Sequence, residues 1–177
     1  MNGHDKTIHS DYTHLLVAQA IGKNKAGGTN FKLTLYNQNR VAFSGQGYSG
    51  GVGQGDSLPN GNYKINLHIV DLQGPSRINP ESPDNNPDPG YGLQAMHDIG
   101  RYQVTSAYGP MRARLNPWQS GDRDGGWYLH GQDPVKGVTH NCLCYGTDTT
   151  LIYYLFDLSQ SAPQIVPVAV NQSLEQP

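Results

Sequence analysis

Two of the chain's seven histidines and both of its cysteines fall within WYLHGQDPVKGVTHNCLCYG, Trp127 to Gly146. His130, His140, Cys142 and Cys144 could serve a metal site, a redox pair, or a cysteine nucleophile with an imidazole base. Zinc accepts all four side chains, but its structural sites usually space paired ligands two to four residues apart. Here one residue separates the cysteines. An extended segment would place both thiols on one face, and a tight CxC knuckle would bring both to one ion. A disulfide between them would close a small, strained and easily reduced ring, so it cannot staple the fold. The plain alternative is two small buried cysteines on a core strand beside incidental histidines.

A nucleophilic cysteine asks more of its surroundings. The thiol must lose its proton to a nearby imidazole of fixed tautomer, or have its pKa lowered. On one extended segment His140 and Cys142 project to the same side, while His130 on a preceding strand could approach from across a sheet. Backbone N–H groups around Asn141 and Cys142 could then hold an oxyanion.

The elements that must position these residues read as strands joined by turns. Glycine (22), proline (12) and tyrosine (11) are abundant and runs of helix formers are scarce, which gives a mostly β class. Phe31, Leu33 and Leu35 alternate with polar partners; NQN turns the chain, and RVAFSG begins a second strand, making a hairpin. After a glycine-rich stretch and a turn at Pro59–Asn60–Gly61, Tyr63, Ile65, Leu67 and Ile69 share one strand face. Residues 74–92 form a long proline- and glycine-rich loop; its Asp84, Asn85, Asn86 and Asp88 lack the spacing of a calcium loop. RYQVTSAYG (101–109) and GWYLHG (126–131) read as strands, separated by a loop containing PMRARLNPWQSGDRDG. Thr147 or Asp148 would cap a helix of about three turns, and QIVPVAVN closes the chain as a strand.

One domain fits 177 residues, with residues 1–26 as a weakly ordered lead-in holding at most one helical turn or strand, and 27–177 as the folded unit. A formal charge of −2 provides no basic field for nucleic acid, and no apolar run is long enough for a membrane span. AQA at 18–20 is like a signal-peptidase site, but the acidic, polar stretch before it is not a leader, so no cleaved signal is expected.

YLHG followed by THNC resembles the HG…[S/T]HGC signature of the L,D-transpeptidase (YkuD-type) catalytic domain. LPNGNYKI is similar to that family's turn and strand. The order YSG…GDSLPNGNYKI, SAYGPMRARLNP, GGWYLHG and the cysteine segment is closest to small L,D-transpeptidase/carboxypeptidase effectors delivered by type VI secretion. The likeness spans residues 31 to 170.

The resemblance implies a mostly β sandwich or open barrel with one or two short helices. It implies acylation of Cys142 by a peptidoglycan stem peptide at the L,D bond, with loss of the terminal D-alanine. Water would then give a trimmed stem, an amine a cross-link or an exchanged D-amino acid. On this likeness His130 is the general base and Gly131 offers a carbonyl to orient its ring. His140 and Thr139 shape the pocket, and Tyr128 lines it. Arg112 or Arg114 would take a substrate carboxylate through a bidentate fork, or serve as structural arginines. No cofactor and no metal are implied. The setting would be that of an antibacterial toxin in a target cell's periplasm, with an immunity protein and secretion components as partners.

Two departures stand out. Asn141 replaces the glycine before the nucleophile, though asparagine tolerates left-handed backbone. Cys144 replaces arginine or aspartate, and is either inert or a resolving thiol for oxidised Cys142. Two other classes remain open: a degenerate peptidoglycan-binding module, and a metalloprotein using His130, His140, Cys142 and Cys144.

Overall fold

Alternation along residues 29–50 produces the hairpin the sequence suggests. β2 (Thr29–Asn37) and β3 (Arg40–Gly50) pair antiparallel, with Phe31, Leu33 and Leu35 buried. Gln38 and Asn39 make the turn at φ 47° and 67°, the two positive values of a primed two-residue hairpin. The structure, a computed structural model, describes residues 12–51, 53, 55–73, 92–98, 104–132, 139–161 and 164–174, with residue 140 as backbone alone. The loop over 74–91, with its acidic and amide side chains, lies outside the described residues.

The fold is mostly β: the described residues form eleven strands in one mixed sheet, and two helices. The remaining strands are β1 (His14–Lys23), β4 (Gly61–Asn66), β5 (Val70–Asp71), β6 (Leu93–Ala95), β7 (Met111–Arg114), β8 (Asn116–Pro117), β9 (Tyr128–His130), β10 (Thr139–Cys144) and β11 (Ile165–Asn171). Their order across the sheet is β5-β6-β7-β9-β10-β3-β2-β1-β11-β4-β8. Only Leu115 separates β7 from β8, so the far end of this order returns to β7 and the sheet curls back on itself. Across that closure the Leu115 N–H donates to the Trp127 carbonyl at 3.0 Å, and the Tyr63 and Trp127 rings meet edge to face at 5.5 Å.

The register divides the sheet into two faces. Leu93, Ala113, Leu129, Leu143 and Ser49 stand level across β6, β7, β9, β10 and β3. These residues are fully buried, and the leucines and alanine join a core with Leu16, Phe31, Ile65, Val166 and Val168. The neighbouring row on the opposite face is Gln94, Arg112, His130, Cys144 and Tyr48. It carries polar chemistry, and it is buried too.

Helix α2 (Thr150–Ser159) supplies Leu151, Ile152 and Leu155 to the core. The N-cap is Thr149, not Thr147 or Asp148 as expected, and its side chain makes no capping bond; Asp148, one residue earlier, accepts the Thr150 N–H at 3.0 Å.

Three expectations are corrected. The lead-in over 1–26 contains β1, which lies between β2 and β11 with Leu16, Ala18 and Ala20 in the core. The strand expected over 101–109 is a short helix, α1 (Val104–Tyr108). Asp98 accepts both the backbone N–H and the hydroxyl of Thr105, and Gly109 ends the turn at φ 71°, so local capping overrides β propensity. The stretch read as a loop from residue 110 onward holds β7, whose four residues are all buried.

Gly92 ties β6 to its neighbours: its N–H donates to the Ile69 carbonyl and its carbonyl accepts from Arg114, both at 2.9 Å. A Cβ there would lie 1.7 Å from the Asn66 carbonyl oxygen, so the backbone must move to admit one. Gly92→Ala is expected to cost about 3 kcal/mol in denaturant unfolding, as overpacking against rigid backbone does.

Candidate active site

The candidate residues meet where β9 and β10 run parallel. Cys144 is the register partner of His130, and Leu143 of Leu129. Cys142 lies one residue before these two pairs, next to the irregular stretch of β10. Leu143 belongs to the core, so Cys142 and Cys144 on either side of it belong to the face that carries His130. Both are buried and neither forms a disulfide.

His130 is 3% exposed and held at both ring nitrogens. Nδ1 lies 2.7 Å from the Gly131 carbonyl oxygen, and Nε2 lies 2.9 Å from Thr139 Oγ1. A carbonyl can only accept, so Nδ1 carries the proton and donates. In the neutral ring Nε2 is therefore the acceptor, and the Thr139 hydroxyl donates to it. That is the tautomer a general base requires.

Burial lowers the imidazole to about 4 from the usual 6.5; the Gly131 and Ala107 backbone groups oppose this, and the Arg112 charge adds to it. His130 is thus neutral at pH 7. As pH falls from 6.5 towards 4, the unfolded chain takes up a proton at His130 that the native state does not. Stability therefore rises with pH across this window and is lost on acidification, by about 3 kcal/mol from this group. Unfolding at pH 7 and pH 4.5 is expected to show a shallower pH dependence for His130→Gln than for the wild type.

The two thiols differ. Cys144 is 0% exposed, accepts the Gly146 N–H at 3.3 Å, and is pushed up to about 11, chiefly by burial. It is a protonated, weakly reactive thiol. Cys142 is 9% exposed. It sits in an irregularity of the ladder: Thr139 pairs with Gly50, and the next pair is Leu143 with Ser49, so residues 140–142 bulge from the strand. Within this bulge Asn141 has φ 56°, a left-handed geometry that asparagine tolerates better than most residues. Gly55 packs on it so closely that a Cβ would lie 2.6 Å from Asn141 Oδ1.

The arginines are interior groups. Arg114 Nη2 binds both Asp124 oxygens, at 2.5 and 2.6 Å, and Nη1 donates to the Trp127 carbonyl at 3.2 Å. Arg112 is 1% exposed, donates from Nε to Gln94 Oε1 at 2.8 Å, and lies 4.2 Å over the Tyr128 ring. Tyr108, which sequence reading passed over, stands edge to face with His130 at 5.2 Å. The His140 side chain lies outside the described residues. Among the described residues no three histidine, cysteine or acidic side chains converge in a way that could hold a metal ion.

A cavity of about 550 Å³ opens beyond the carboxyl ends of β9 and β10, lined by Thr105, Ser106, Gln132, Gly146, Thr147 and Thr149 among others. Cys142 and His130 are not in its wall. No described helix is long and apolar enough to cross a membrane. No family model matches the chain, and no curated protein matches it in sequence.

Proposed function

We propose that the chain is a cysteine acyl-transfer enzyme of L,D-transpeptidase type, acting on peptidoglycan stem peptides. The observation that carries the reading is the binding of His130: Nδ1–H on the Gly131 carbonyl makes Nε2 the acceptor of a ring on the strand that pairs with the cysteine segment. Cys142 Sγ would attack the carbonyl carbon of the L,D bond while Nε2 takes the thiol proton. Because Nε2 has a single lone pair, the Thr139 hydroxyl must turn away first. The N–H groups around left-handed Asn141 would hold the oxyanion. Collapse of the tetrahedral adduct breaks the C–N bond, and His130 hands its proton to the departing D-alanine amine. Water or an acceptor amine then attacks the thioester and releases Cys142.

Incubation with tetrapeptide muropeptides tests this. Loss of a terminal alanine, or its exchange for an added D-amino acid, is expected by mass. Directed to the periplasm of a bacterial host, the wild-type chain is expected to arrest growth, in keeping with a delivered antibacterial effector. Intact muropeptides from folded, reduced protein would overturn the enzymatic reading, and bound but unaltered ones would support a binding module.

A further inference from the structure

Arg112 is a buried charged side chain on the strand beside the candidate base. It faces His130 in register across β7 and β9, and its guanidinium carbon lies 4.8 Å over the Tyr108 ring and 4.2 Å over that of Tyr128. Gln94, level with it on β6, fixes Nε at 2.8 Å. Tyr108 in turn presses edge to face on His130. The guanidinium stacks on two rings while its Nε donates, as suits a planar group capable of stacking and directed hydrogen bonding together.

We propose that Arg112 is a positioning residue for His130, locking Tyr108 and Tyr128 around the imidazole so that Nδ1 stays on the Gly131 carbonyl and Nε2 faces Thr139. Its part in a reaction rests on the reading of His130 as general base. His130 is faced by Arg112 from β7, Tyr108 from α1, and Thr139 and Cys144 from β10, with Tyr128 along its own strand. Of these Arg112 brings a formal positive charge, which disfavours a second cation beside it. The same side chain thereby keeps the ring in the neutral form that has a lone pair to offer.

The test is NMR titration of His130 in histidine-labelled wild-type protein, Arg112→Lys and Arg112→Gln, with muropeptide turnover measured alongside. Arg112→Gln is expected to raise the His130 midpoint by roughly one pH unit and to mix the two ring tautomers. Arg112→Lys is expected to keep the midpoint near wild type, because the charge remains. A purely structural arginine would alter stability and leave the midpoint in place. An unchanged midpoint and tautomer in folded Arg112→Gln overturns the proposal. Should that variant not fold, Gln94→Ala, which removes the Nε anchor and keeps the charge, is expected to shift the midpoint less and in the same direction; no shift counts equally against it. A shifted midpoint with no turnover in any form supports the positioning role and removes the acyl-transfer reading. Turnover with unchanged midpoint and unchanged kcat does the reverse.

Discussion

Cys142→Ala is expected to abolish turnover of stem peptides, by roughly 10⁴-fold or more, the scale on which removal of a covalent nucleophile acts. The fold is expected to survive. Cys142 lies at the edge of a bulge rather than in the packed leucine row, so the lost sulfur costs about 1 kcal/mol. Cys144→Ala is expected to show the opposite balance. Its thiol is wholly buried and accepts the Gly146 N–H, so truncation leaves a void and an unmade hydrogen bond while turnover persists. Kinetics and unfolding curves measured on both variants decide between the thiols. A dead Cys144→Ala beside an active Cys142→Ala would reassign the nucleophile.

Asn141→Val carries the second large effect. At φ 56° a β-branched side chain clashes with its own backbone, at a cost of about 1–2 kcal/mol, which the bulge relieves by turning 141–142 towards extended geometry. That motion swings the N–H groups away from the position an oxyanion would occupy. Loss of such a donor costs about 10²–10³ in kcat, the expected effect here. Asn141→Gly adopts the same φ without strain and is expected to retain turnover. Equal turnover in the valine and glycine variants would mean that the left-handed turn has no part in the chemistry.

The hairpin was legible because its pattern is local: alternating apolar residues, two turn positions open to positive φ, then more alternation. The start of α2 was legible to within two residues for the same reason, although the N-cap is Thr149 rather than Thr147 or Asp148. β1 was not. Its core positions after Leu16 are Ala18 and Ala20, whose small side chains give little hydrophobic contrast, and its partner β11 lies about 150 residues away. α1 was misread because Val104, Thr105 and Tyr108 favour strands, and what makes them helical is Asp98, seven residues before Thr105. For β7 the arginines themselves misled. A buried strand is expected to be apolar, yet Arg112 and Arg114 lie inside because Gln94, Asp124 and aromatic faces receive them.

At the site, residue types and spacing marked His130, His140, Cys142 and Cys144, and the resemblance singled out Cys142, His130 and Gly131. They could not supply Tyr108, Gln94 or Gly55, which come from other parts of the chain and carry no motif. The left-handed Asn141 was the departure most open to doubt, and its backbone matches what glycine would adopt.

The position of β11 bears on how the protein comes to be made. β1 and β4 each pair with it and not with each other, so residues 165–171 form the bridge between the earliest described strand and the sheet's far end. While a ribosome has still to deliver that stretch, the strands around Cys142 and His130 have emerged, yet β1 and β4 each present an open edge. Closure thus depends on contacts far apart in sequence, a slow step by nature. Translation that stops short of Ile165 would leave a sheet with two sticky edges for chaperones and proteases to find.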